Sequence, residues 1–426
     1  MPVNLNYIAD GVHSLYLPNS SFKTTYVSVN FYLPLKAETV AQYALLTELL
    51  MSCSKEYPDY LLLNYRLSSL YGADAVSSVT KVGDCLCIKF SASCINDRFA
   101  FGGENVTKET VNLLLDLIFR PKVKDGAFYE EDMKREKRKL IDRIMGELNE
   151  KRAYARNRLV AEMFEGDPYG VYKFGKAEDV DAVTPRQLYE AWKTMIETSH
   201  IRIHTIGENE YTEIYAKVKE EISSFNRHNI TDIYSCSVLG ERESVKRVTE
   251  KMDVAQGKLV MGFNVEGGDD DNSLDVMMMC DIFGGGPYGR LFTNVREKMS
   301  LCYYCSASSV RNKGFMMVDS GVEKENAERA EKAILEQLQI MKEGQFTDFE
   351  FASSLKNLKD SLKTYHDSQS GLDVWYTLKA INKNMYSPEE IEEMLGDITP
   401  EAVKKAAQKC RYNTVYMLLP EEREEN

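Results

Sequence analysis

The segment Asp181-Ala182-Val183-Thr184-Pro185, with Leu188 and Ala191 after it, returns as Gly396-Asp397-Ile398-Thr399-Pro400 with Val403 and Ala406 after it. Thr184 and Thr399 stand 215 residues apart in a chain of 426, so the self-match cuts the chain into halves. Each copy reads as a helix start: the threonine hydroxyl accepts an orphan backbone N–H, and proline occupies the first helical position, where its missing N–H costs nothing. An alternating run follows each predicted helix, Ile201 to Ile206 in the first copy and Thr414 to Leu419 in the second. That pattern suits a half-buried strand.

A longer parallel supports duplication. Ala44 to Met51, a helix ending near Leu70 and a strand at Cys85 to Phe90 match Leu274 to Phe283, Leu291 to Lys298 and Tyr303 to Ser309. A long helix is expected over Tyr129 to Phe164, its apolar stripe on a sheet and Glu131, Asp132, Lys134, Arg135 and Lys137 on a solvated face. His13 to Leu17 and Thr25 to Tyr32 read as paired strands joined by Pro18-Asn19-Ser20-Ser21. The fold class is therefore α+β, two tandem duplicated domains in which helices lie on a mostly antiparallel sheet. Residues 1–225 form the first domain, 226–247 the linker and 248–426 the second domain.

Charge narrows the partners. With 66 acidic against 53 basic side chains the formal charge is −13, and no Lys/Arg block is interleaved with aromatics. Nucleic acid is not an expected partner. No run of 18 apolar residues occurs and the first residues lack a basic segment followed by an apolar one, so no membrane association and a cytoplasmic location are expected. Nine dispersed cysteines are expected as reduced thiols.

The most specific segment runs from Phe283 to Tyr303: Gly284-Gly285-Gly286-Pro287-Tyr288, then Arg290-Leu291-Phe292, Arg296-Glu297-Lys298, and Leu301 and Tyr303. It resembles the second domain of the M16 (pitrilysin, or inverzincin) metallopeptidases. Asp167-Pro168-Tyr169-Gly170, Gly175, Gln256 and Gly262-Phe263 extend the resemblance over most of the chain. The resemblance implies that Arg296 and Tyr303 bind substrate, two donors aimed at a carbonyl oxygen whose charge grows during peptide cleavage. It also implies a zinc site of two histidines four residues apart on one helix, a glutamate between them as base, and a distant glutamate. The matching positions hold Ala44 and Glu48 as ligands and Thr47 as base, and the distant ligand falls near Asp142-Arg143-Ile144. This zinc site is degenerate, so no metal is expected in the chain, and zinc is expected only in a partner subunit.

Other chemistries find less support. The glycine run lacks the Gly-Lys-Ser/Thr ending of a phosphate-cradling loop. His200 and His204 are four apart on a predicted strand, about 13 Å, too far to share an ion. Cys302 and Cys305 are expected on opposite faces of a strand. The reading that follows is a pseudo-peptidase subunit, not an enzyme by itself. It would bind a peptide or protein substrate and lend Arg296 and Tyr303 to a zinc-bearing M16 subunit in a heterodimer, or would form a homodimer. Bacterial relatives of this kind carry names linked to modification of translation elongation factor P. Two alternatives stand beside it: a structural or peptide-binding homologue without catalytic involvement, and a self-sufficient hydrolase with unrecognised residues.

Overall fold

A computed structural model describes residues 5–268 and 273–421. Its strands are β1 Asn6–Ala9, β2 Val12–Pro18, β3 Thr24–Pro34, β4 Asp74–Val82, β5 Cys85–Ile95, β6 Val123–Lys124, β7 Ala127–Phe128, β8 His200–Gly207, β9 Lys246–Met252, β10 Gly257–Asn264, β11 Cys302–Val310, β12 Phe315–Val322 and β13 Arg411–Pro420. The first half forms a six-stranded sheet in the order β1-β2-β8-β3-β5-β4, and the second a five-stranded sheet in the order β11-β12-β10-β13-β9. Reversing the second order gives β9-β13-β10-β12-β11, which matches β2-β8-β3-β5-β4 strand for strand. Each sheet is antiparallel apart from one parallel pair, β2 with β8 and β13 with β9. Thr184 and Thr399 both cap helices with Pro at the start, Pro185–Thr198 and Pro400–Lys409, that lead into the equivalent strands β8 and β13. The fold is thus the duplicated α+β architecture that the repeat implies.

The expected hairpin between the first two strand runs does not form. β8 inserts between β2 and β3, parallel to one and antiparallel to the other. The turn-rich connection only bridges the gap, because pairing over nearly 200 residues leaves no local signal. The helix expected over Tyr129 to Phe164 is two helices, Glu130–Glu147 and Lys151–Met163. Between them the backbone tightens into i→i−3 bonds at Leu148, Asn149 and Glu150, just after Gly146. Asp132 leaves the solvated face and is buried, bonded to Lys122 at 2.8 Å and Arg135 at 3.3 Å.

That break changes the architecture. Glu130–Glu147 stays on the helical layer of its own half, whereas Lys151–Met163 crosses to the opposite half and lies on β10 and β13. Ala155, Leu159 and Met163 pack there with Val260, Phe315, Tyr416 and Leu418. Gly262 makes room, since a Cβ at that position would come within 2.4 Å of Met163 Sδ. The second half returns a helix, Gln369–Lys379, to the outer face of β3 and β8. Both central strands are therefore buried on two faces, and β8 and most of β13 are covered where alternation suggested half-buried strands.

Candidate functional site

The Ala37–Leu50 helix carries the positions expected to be a degenerate metal site. Ala44 is buried in the first core, and the Thr47 hydroxyl donates to Tyr43 O at 2.7 Å, satisfying itself within the helix. Glu48 is half-buried and paired with Arg143, which comes from the Glu130–Glu147 helix. The region that should supply a distant carboxylate therefore supplies a guanidinium, which also lies over the Phe174 ring. A cation beside one carboxylate opposes binding of a second cation, and Ala44 and Thr47 bring no imidazole. These residues do not fit zinc. Among the described residues no group of three His, Cys, Asp or Glu side chains gathers in a way that could hold a metal ion.

In the second half, Leu274–Gly284 ends at the glycine run, and the chain re-enters as a π-helix over Leu291–Lys298. Its wide turn is visible in the bond from Met299 N–H to Asn294 O, five residues back. Gly284 and Gly285 serve close packing. A Cβ on Gly284 would approach Ala307 N at 2.7 Å, and one on Gly285 would meet Asp281 Oδ2 at 2.2 Å. Tyr288 donates to Asp281 at 2.7 Å, which ties the loop back to its helix. Pro287 and Tyr288 line an open cavity of about 630 Å³ with Arg290, Asn294 and Phe349. Arg290 itself is buried, bonded to Glu350 and Gln337.

Arg296 and Tyr303 meet at a different cavity, about 420 Å³, on the edge strand β11. Its wall also includes Glu297, Cys302, Glu323 and Asn326, all from the second half. Arg296 lies over the Phe292 ring, 4.5 Å from its centroid, and 3.5 Å from Glu297. Tyr303 is 56% exposed and its hydroxyl donates to Glu323, a bond that raises the phenol above its ordinary pKa. The two residues thus share a wall, and the glycine loop faces another cavity.

The cysteine expectation fails for a structural reason. Cys302 stands opposite Val322 and Cys305 opposite Ser320, because the register of β11 shifts by one residue at Tyr303. Val322 and Ser320 are two apart, so their partners share a face. The Cys302 thiol is held below its ordinary value by a hydrogen bond with Cys305, against the opposing effect of burial, and Arg296 adds to the lowering.

Sequence reasoning missed the polar junction between the halves. Asp373, fully buried on the helix returned by the second half, accepts from Ser28 and Tyr26, from Lys89 at 2.8 Å, and pairs with His204 Nδ1 at 2.8 Å. Burial pushes its carboxyl up, but the His204 bond and Lys89 outweigh that and hold it at about 2. Gln369 bonds to Thr24 and Ile206, and Tyr32 to Thr377 O. A second node places the buried Lys313 among Asp84, Asp167 and Ser237, so the 226–245 segment is docked rather than free. Alternating polar residues within His200-Ile-Arg-Ile-His204 were the available signal for the first node.

Comparison with known proteins follows the same lines. Residues 182–358 match the family model described as Peptidase M16 inactive domain. A protein of Bacillus subtilis (strain 168) named "Probable inactive metalloprotease YmfF" is 29% identical over 415 residues, 96% of each chain. A conserved protein from Enterococcus faecalis V583 superposes with a TM-score of 0.90 at 24% identity, covering all of both chains. A Pseudomonas fluorescens structure described as a peptidase M16 inactive domain superposes with a TM-score of 0.76 at 16% identity, again over both whole chains.

Proposed function

We propose that this chain, which is similar over almost its whole length to a protein named a probable inactive metalloprotease, is the substrate-holding subunit of a two-chain peptidase whose zinc is borne by an M16 partner. The observation that carries the reading is a contrast. Arg296 and Tyr303 remain together on one open wall, whereas Ala44, Thr47 and the Glu48–Arg143 pair leave nothing that accepts a metal. The ligand is a peptide or unfolded protein segment. A phenol on an edge strand and a guanidinium from the helical turn before it are suited to backbone carbonyls, and only donors that bind the transition state more strongly than the substrate raise turnover.

Two features favour the alternative of a peptide-binding homologue with no catalytic part. The Tyr303 hydroxyl is already engaged by Glu323, and the cavity draws no residue from the first half. A single experiment separates the two. The tagged chain is recovered from its source cell, native mass spectrometry identifies any zinc-bearing partner, and peptide cleavage by the reconstituted pair is followed. Arg296→Ala and Tyr303→Phe should each lower turnover by about 10²-fold without altering association or folding. Unchanged turnover in both variants would remove the catalytic contribution and leave peptide binding alone.

A further inference from the structure

The extra residue in β11 brings two thiols together. In an unbroken strand, residues three apart point to opposite faces and lie about 10 Å from each other. Here Cys302 stands opposite Val322 and Cys305 opposite Ser320, so three steps along β11 run against two along β12. Both cysteines therefore face the core of the second half, where Cys305 is buried and Cys302 packs against it from the rim. The Cys305 thiol donates to Cys302, and both sulfurs are within hydrogen-bond reach of the hydroxyl of Ser320, itself fully buried. Tyr303 has no opposite number on β12 and is exposed.

The two thiols differ in access. Cys302 lines the open cavity of about 420 Å³ with Arg296 on the same wall, whereas Cys305 is 5% exposed. The bond from Cys305 and the charge of Arg296 favour the thiolate at Cys302, and the proton stays on Cys305. A small oxidant entering the cavity reaches one sulfur only, and that sulfur is the better nucleophile. The second sulfur stands in contact behind it. Cys236, the other partly exposed cysteine, donates instead to a backbone carbonyl, Asn312 O at 3.4 Å.

We propose that Cys302 and Cys305 form an oxidation site for small hydroperoxides, in which Cys302 takes the oxygen and Cys305 closes a disulfide. The Cys302 thiolate attacks one oxygen of hydrogen peroxide: an S–O bond forms, the O–O bond breaks, and the departing hydroxide takes a proton from solvent and leaves as water. The Cys305 sulfur then attacks that of Cys302. An S–S bond forms, the S–O bond breaks, and hydroxide leaves with the Cys305 proton as a second water. Two thiols are oxidised to one disulfide while one peroxide is reduced to two waters. Two steps along β12 measure about 7 Å, close to the longest Cα spacing that a disulfide spans. The bridge therefore tightens the strand around Tyr303 and is readily reduced by a dithiol. This chemistry asks nothing of peptide binding at the Arg296 wall.

The full chain is reduced, freed of reductant and exposed to hydrogen peroxide at neutral pH for a few minutes, with dimedone present in a second sample. Remaining thiols are alkylated in denaturant, and the tryptic peptide from Met299 to Arg311, which holds both cysteines, is weighed. It is expected to be lighter by two hydrogens and free of alkyl groups, and dithiothreitol should restore it, while every other cysteine is still alkylated. Cys305→Ser should leave Cys302 as a sulfenic acid and raise its dimedone adduct about 10-fold over wild type. Should this variant fail to fold, the wild-type peptide alone decides. The proposal is overturned if both thiols of the peptide remain alkylated, if Cys302 goes to sulfinic acid with Cys305 still alkylated, or if dimedone labels Cys302 equally in wild type and the folded variant.

Discussion

Arg143 reaches from the Glu130–Glu147 helix to the carboxylate of Glu48 on the Ala37–Leu50 helix, the one acidic residue among the three positions of that helix expected to form a degenerate metal site. The pair ties two helices of the first half together by an internal ion pair. Because both partners remain partly open to solvent, it is worth at most about 1 kcal/mol.

Arg143→Gln should therefore lower unfolding stability by less than about 1 kcal/mol and still leave the chain unable to hold zinc. Urea titration and elemental analysis after dialysis read the two halves of this statement. A stoichiometric zinc content in the variant would mean that Arg143, rather than the missing imidazoles, excludes the metal.

Asp373 gives a pH dependence with a definite sign. Its folded value of about 2 lies below the ordinary carboxylate value, so its stabilising effect is complete above about pH 4 and is lost as pH falls toward 2. The amount at stake is about 2 kcal/mol. Asp373→Asn should be less stable than wild type near neutrality, and the gap should narrow on acidification. Parallel curves of stability against pH for the two proteins would contradict this.

Cys302 should be the first thiol to react. Its value is lowered, whereas burial raises those of Cys53, Cys85, Cys87, Cys94, Cys236, Cys280 and Cys410, and the bond with Cys302 raises that of Cys305. Brief iodoacetamide treatment at pH 8 followed by peptide mass spectrometry should find Cys302 alkylated about 10-fold ahead of any other site. Arg296→Ala should slow it. Preferential labelling of Cys236, which is also partly exposed, would count against the assignment.

Gly262 tests the crossing helix. Alanine there forces the Met163 thioether aside, and because that side chain is flexible the cost should be about 1 to 3 kcal/mol rather than loss of the fold. Met163→Ala in the same chain should remove the clash and make the double variant better than additive, as a double-mutant cycle would measure.

Much of this was readable in order along the chain. The capped starts at Thr184 and Thr399, the helix of Leu274 to Phe283 and the Arg296 to Tyr303 spacing are local signals, carried by a few neighbouring residues. What could not be read depends on partners distant in sequence. The insertion of β8 between β2 and β3, the meeting of Asp373 with His204 and the Arg143 contact with Glu48 each join residues with no mark on either alone. The shift at Tyr303 was hidden for another reason: one extra residue in a strand changes which side chains are neighbours without changing the composition of the run.

The exchange of helices between the halves fixes the order in which a ribosome can finish this protein. Strands β1 to β8 are complete by Gly207, yet the helix that seals their outer face begins only at Gln369. At cellular synthesis rates of about 5 to 20 residues per second, that face stays bare for roughly 8 to 30 seconds. A nascent chain stalled in this window offers an open apolar and cationic surface to chaperones and to other nascent chains. The same dependence means that the two halves, made as separate polypeptides, should fold only when mixed, each acting as the template for the other.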